Sequence, residues 1–503
     1  MNSLVIDGLV EKGEKMAQHA DLVIKNGKVV SSQGIFEGGV AIKNGKFVAV
    51  GADDSLPDAQ QVVDVNGNHI LPGLIDPEVH LGIHRPVTDD LISETKAAAS
   101  TGVTTWGMQL TSPNMQMRHK LENDPGDIVS FKEVFPAFRE AGEKHSRVDF
   151  FLTPILANDA QSEEIPEYVE KLGVTSFKYY LHMMRPEASG WLSQKRMGFF
   201  GFDDGTVYRG LEHVGKLGAP CIVSLHCENW GIVRVLEERL KRQGRKDYGS
   251  WDDRSPHFVE AAHVRQFAYF AGLLNCPLYI QHCTCDETMD EVERARKEGL
   301  TIYAQTAPCY LSLPKDTWKV NVPLRSQETI ERIWKGIREG RIHCVGTDHV
   351  NHGVPRGEME VKGDVWKTIS GFSSRVEAYM QVMLSLGVNQ GRITLERLVE
   401  VCCESNAKVF GIFPKKGTIR VGSDGDLVVV DLKKKAIVRP EMLYTSSGWS
   451  IYEGWEFTGW PVMTIVRGNM VAQWSEKTNR MEMVGEPVGR YVVRRLGSQF
   501  LYE

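Results

Sequence analysis

No stretch of the 503-residue sequence holds the roughly 18 uncharged apolar residues that a membrane-spanning helix requires. Its opening, MNSLVIDGLVEKGEKMAQHADLVI, has no basic segment leading into a long apolar run and a small-residue cleavage site. A soluble, intracellular and cytoplasmic protein is expected. Long runs of one charge sign are also missing, and a formal net charge of −6 gives no electrostatic case for nucleic acid or an anionic membrane surface as partner. The expected partner is a small molecule. Cysteine is scarce and confined: all nine thiols fall between Cys221 and Cys403, an odd number that points to reduced core thiols and not to a disulfide framework.

What is present can build a large core. With 42% hydrophobic residues, the chain predicts one big domain and a smaller one. From Asp21 to Asn66 it runs in short β-rich stretches, DLVIKNGKVV, GVAIKNGKFVAVG and QVVDVNG, with Asn-Gly twice at hairpin positions. The same texture returns in GTIRVGSDGDLVVVDL and PVMTIVRGNMVAQ, so residues 1–70 and 411–475 are expected to form one β-sandwich domain from both chain ends. The remaining tail, 476–503, is apolar and basic, a character that suits docking on a neighbouring subunit.

Between the ends, residues 71–410 alternate apolar runs with amphipathic helical stretches. The runs are LPGLIDPEVH, GVTTWGMQL, DFFLTPIL, VTSFKYYL, APCIVSLH, CPLYIQH, LTIYAQTA and IHCVGTDH. Eight strand-then-helix units predict an α/β fold, a (β/α)8 TIM-like barrel whose chemistry sits at the carboxyl ends of its strands. The long stretches 183–200, 227–262 and 308–340 would lie over that face. Five of the runs end on residues able to bind metal: Glu78 and His80, Lys178, His226, His282, and Asp348. Imidazole and carboxylate ligands suit a divalent ion such as zinc, manganese or cobalt. Lys178 stands apart, because an ammonium cannot ligate a cation. It is either half of a structural ion pair or a carbamate formed with carbon dioxide.

These stretches, with "TDD…ETKAAASTGVTT", NVPLR at 321–325 and DGDLVVVDL after the barrel, resemble the amidohydrolase superfamily in its hydantoinase, dihydropyrimidinase and allantoinase branch. The likeness runs in order through residues 20–475. It implies two divalent ions: carboxylated Lys178 bridging them, His226 and His282 on one, and His80, Asp348 and the residue at position 78 on the other. It also implies hydrolysis of a C–N bond by hydroxide held at those ions, with Asp348 taking the proton and passing it to the departing nitrogen. A homodimer or homotetramer is implied as well.

The likeness breaks at four places. Where the family has a histidine this chain has Glu78, which either ligates in its stead, weakens one metal position, or marks a relic site in a non-catalytic scaffold. His84, four residues past His80, is an alternative replacement. Where the family has a carbonyl-polarising tyrosine the chain has Met183, with His182 beside it, and the substrate-holding positions are Asn321 and Ser370. A retained metal machinery with a rebuilt pocket implies a cyclic amide or imide hydrolase, or one for a (thio)carbamate or open-chain amide. Trp106, Met108, Met184, Trp191, Phe199, Phe200 and Trp230, expected near the active face, would make the pocket apolar.

Overall fold

The computed structural model describes residues 19–116, 128–181 and 203–497. The two chain ends build a single nine-stranded sheet. Ala20–Ser31, Gly34–Lys43, Lys46–Gly51, Ala59–Asp64 and His69–Pro72 come from the front, and Leu427–Ile437, Glu456–Val466, Asn469–Ser475 and Arg480–Met483 from the back. Their seam is the antiparallel pairing of His69–Pro72 with Leu427–Ile437, Leu71 opposite Val428. The last of these strands carries the sheet past residue 475, into the expected tail.

One Asn-Gly pair behaves as expected. Asn44 (φ 50°) and Gly45 (φ 78°) form the two-residue turn between Lys43 and Lys46, where both residues must take a left-handed backbone. Asn26-Gly27 instead lies inside the first strand as a bulge between Ile24 and Gly27. A Cβ on Gly27 would sit 2.5 Å from Ile70 Cδ1, so close packing and not turn formation explains that glycine.

The eight apolar runs all become strands, each parallel to its neighbours. Val103–Leu110 lies between Leu74–His80 and Asp149–Pro154, and a bridge from Ile155 to Lys178 joins this group to Ser176–Tyr180. Pairing continues through Ile222–His226, Leu278–Ile280 and Ile302–Thr306 to Cys344–Val345. The last run is broken, and its second piece, His349–Val350, pairs back onto Leu74–His80. Buried on both faces, these strands read as continuous apolar stretches.

Amphipathic helices cover them. In Gln327–Arg338 the side chain of Ser326 accepts from Thr329 N at 3.2 Å, and Ile330, Ile333, Trp334 and Ile337 form the buried stripe at helical spacing. All nine cysteines are free and buried. No helix among the described residues is long and apolar enough to cross a membrane.

The tail docks on its own chain. Tyr491 bridges to Phe150, Val492 N donates to Phe150 O at 2.8 Å, and Arg494 N donates to Gly173 O at 3.0 Å. The guanidinium of Arg494 is fully buried and donates to Ser176 Oγ at 2.8 Å and to Leu152 O. These contacts absorb the apolar and basic character that suggested a neighbouring subunit. Arg494→Met should lower unfolding stability by about 2 kcal/mol through the lost charged hydrogen bonds, read from urea denaturation; an unmoved midpoint would show that the tail adds nothing.

Candidate metal centre

Glu78 and His80 are two residues apart on one strand, so they share a face. Lys178 stands mid-strand in Ser176–Tyr180, His226 ends Ile222–His226, His282 follows Leu278–Ile280, and Asp348 sits in the break of the last run. All six stand on or just beyond five of the parallel strands, most at their carboxyl ends. His282 and Asp348 hold left-handed backbones, φ 37° and 51°, a conformation that costs a non-glycine residue about 1–3 kcal/mol and concentrates at functional sites. Neighbours enforce it. Gln305 accepts the His282 N–H through its side chain, and Asp76 accepts from Thr347 N at 2.9 Å and Thr347 Oγ1 at 2.5 Å, fixing the residue before Asp348.

Donor atoms of Glu78, His80 and Asp348 lie within 4.8 Å of one another. Lys178 Nζ donates to Glu78 Oε1 at 3.1 Å and lies 3.3 Å from His80 Nε2, while His80 Nε2 is 3.4 Å from Asp348 Oδ1. His282 Nε2 is 4.0 Å from Glu78 Oε1, and the His226 ring meets His282 edge-on with centroids 4.4 Å apart. Tyr180 packs against His226 and under the Lys178 amine. Every one of the six is buried. Glu78 Oε2, His80 Nδ1 and both ring nitrogens of His282 have no hydrogen-bond partner among the described residues. Buried donors and acceptors are rarely left so, and a set of carboxylate and imidazole atoms fits a borderline or hard divalent ion.

Burial governs the charges. It holds the His226 and His282 imidazoles well below their usual range and His80 down to about 4, so all three are neutral and able to ligate. Burial pushes Glu78 up to about 8 against the pull of Lys178, and holds the Lys178 amine below its usual range against Glu78 and Asp348. For Asp348 burial is outweighed: the Arg375 guanidinium and His80 hold the carboxylate well below its ordinary range.

A second cluster, Asp149, Asp424 and Asp426, has carboxylates close enough for a cation. Its place is taken by the Lys416 ammonium, 3.0 Å from Asp424 and 2.6 Å from Asp426 and bonded to Asp149. It ties the sheet to the parallel strands.

The Amidohydrolase family model matches residues 258–471. The L-hydantoinase of Paenarthrobacter aurescens is 30% identical over 492 residues, 94% of this chain and 98% of that protein. The chain belongs to the amidohydrolase family. Within it the relatives lie in the hydantoinase and dihydropyrimidinase branch: the D-hydantoinase of Geobacillus stearothermophilus is 29% identical, with 94% of this chain and 96% of that one covered. Among solved structures, the L-hydantoinase (dihydropyrimidinase) from Arthrobacter aurescens superposes with a TM-score of 0.82 at 29% identity, covering 94% and 100% of the two chains. The dihydropyrimidinase from Brevibacillus agri gives 0.80 at 26%, covering 95% and 99%.

Other expected site residues of this amidohydrolase fare differently. Half-buried Asn321 accepts from Arg254 Nη2 at 3.0 Å, and Ser370 offers its backbone carbonyl to His352 Nε2 at 3.1 Å. His84 stacks on His352 with ring centroids 4.7 Å apart and is not in the cluster with His80. Trp106 and Met108 are fully buried within Val103–Leu110, not in loops. His182, Met183, Met184, Trp191, Phe199 and Phe200 lie outside the described residues. Sequence reasoning missed Asp76, Gln305, Glu228 and Arg375. Glu228 lies two residues past His226, fully buried 3.7 Å from it, just beyond the apolar run that ends there; Arg375 follows an irregular loop and carries no periodic signal.

Proposed function

We propose that this amidohydrolase hydrolyses a C–N bond of a cyclic amide or imide, with Glu78, His80, Lys178, His226, His282 and Asp348 holding two divalent ions, zinc, manganese or cobalt. The observation that carries it is the convergence of these six buried side chains from five of the parallel strands. In this reading the strands close into a (β/α)8 barrel over 71–410, flanked by a β-sandwich from 1–70 and 411–475, and the chain works as a homodimer or homotetramer. Bound ions would supply a nucleophilic water ionised near neutral pH and a polarised carbonyl.

The chain's own residues do the rest. Burial favours the neutral amine of Lys178, the form that adds to carbon dioxide with loss of a proton, so a carboxylated Lys178 would offer anionic oxygens to the divalent ions. Glu78 gives the site an anionic oxygen in place of an imidazole, which favours a harder ion. Asp348, held ionised, accepts the proton of the attacking water and returns it to the leaving nitrogen. The hydantoinase and dihydropyrimidinase names of the relatives support a cyclic substrate.

Elemental mass spectrometry on protein purified without chelator, together with a panel of cyclic amides and imides, tests this reading. Close to two ions per chain and ring opening of a panel member are expected. Because Glu78 must lose its proton to ligate, apparent metal affinity should rise with pH up to about 8 and fall below it. No uptake at alkaline pH with bicarbonate present would sink the proposal.

A further inference from the structure

Arg375 is buried within the metal centre, where positive charge is least welcome. Its Nη1 donates to Asp348 Oδ2, its only hydrogen-bond acceptor among the described residues. Nε is buried with no partner among them, and the guanidinium lies over the Phe372 ring, 5.0 Å from the centroid. Gly371 lets His352 pack close beside the guanidinium: a Cβ there would stand 2.8 Å from His352 Cε1 and 3.6 Å from Arg375 Nη2. The only carboxylate bonded to Arg375 is thus one that the proposed function also assigns to a divalent ion.

Both roles fit Asp348 geometrically, since Oδ1 faces His80 while Oδ2 faces Arg375. They do not fit electrostatically on their own. An ion drawn to Asp348 shares the charge that balanced the guanidinium, leaving a buried cation beside cations. The remaining carboxylate of the cluster, Glu78, bonds Lys178 and not Arg375. Beyond the carbamate proposed on Lys178, a further anion bonded to the guanidinium itself would relieve this charge. A guanidinium offers five N–H donors in a planar fork, of which one is engaged, and the anion that fork matches is a carboxylate.

Resting on the proposed function, we infer that Arg375 is a specificity-determining residue that binds a carboxylate carried by the substrate, so that the preferred substrate is an acidic cyclic amide. An oxygen turning anionic at the reacting carbonyl would draw on the same donors, and the test separates the two sources. Hydantoin-5-acetate and its neutral isostere hydantoin-5-acetamide are compared by calorimetry and by steady-state kinetics on zinc-loaded protein, with zinc content measured on the same samples. Wild type should prefer the acid by about 10- to 100-fold in binding and in kcat/KM. Arg375→Met should abolish the preference, and Arg375→Lys should keep part of it. Equal binding of the two ligands, no binding of either, or a preference that survives Arg375→Met overturns the inference while leaving the metal-dependent reading intact. A kcat loss equal for both ligands in Arg375→Met moves the residue to the reacting carbonyl and also overturns it. Protein that takes up none of zinc, manganese or cobalt sinks the proposed function and this inference together.

Discussion

Asp348→Asn is expected to lower kcat by about 10²–10⁴-fold, the range that a positioned proton acceptor contributes, and to destabilise the fold as well. From sequence, removing Asp348 should harm turnover more than folding. The buried Arg375 changes that expectation, because its guanidinium loses the only anion bonded to it among the described residues. Breaking a buried pair from one side costs about 3–5 kcal/mol, whereas replacing both partners with apolar groups is often neutral. Asp348→Asn combined with Arg375→Met should therefore recover most of the lost stability in urea denaturation and none of the lost turnover. A single variant as stable as wild type, or a double variant no more stable than the single, would refute the coupling.

Lys178→Met should abolish metal retention, lowering affinity by more than the about 10–100-fold that changes in residues behind the ligands cost. Activity should vanish with it. The fold should survive, since methionine fills the same volume and relieves a buried amine of its desolvation. Elemental analysis and thermal denaturation read the two effects. Native intact-mass measurement of wild type should add one carbon dioxide, and Lys178→Met should lack it. If Lys178→Met kept both ions, Lys178 would be only the counter-ion of Glu78, to which it donates at 3.1 Å.

The strands and the clustering of the six polar side chains were legible because two signals coincide at each: an apolar run buried on both faces, and a polar residue at or near its carboxyl end. Side chains that act from behind were not. Asp76 looks like a turn residue before Pro77, yet it is fully buried and binds Thr347, distant in sequence; its burial pushes it up to about 6. Gln305 ends a strand like any polar residue, and only the fold places it under His282. Arg375 arrives from a loop without periodicity. Asn26-Gly27 has the composition of a turn, and what decides for a bulge is the distant Ile70. In the tail, amphipathic character suggested a neighbouring subunit, while the described part, up to residue 497, packs on its own chain through Tyr491, Val492 and Arg494.

The seam between His69–Pro72 and Leu427–Ile437 also sets a timetable for synthesis. A ribosome adding about 5–20 residues per second needs roughly 20–70 s to travel from one strand to the other. Throughout that interval the nascent front half presents an unpaired strand edge immediately before the segment bearing Glu78 and His80, the kind of edge on which chains stick to one another. Slow translation or scarce chaperones should thus diminish the yield of native protein before any metal is encountered.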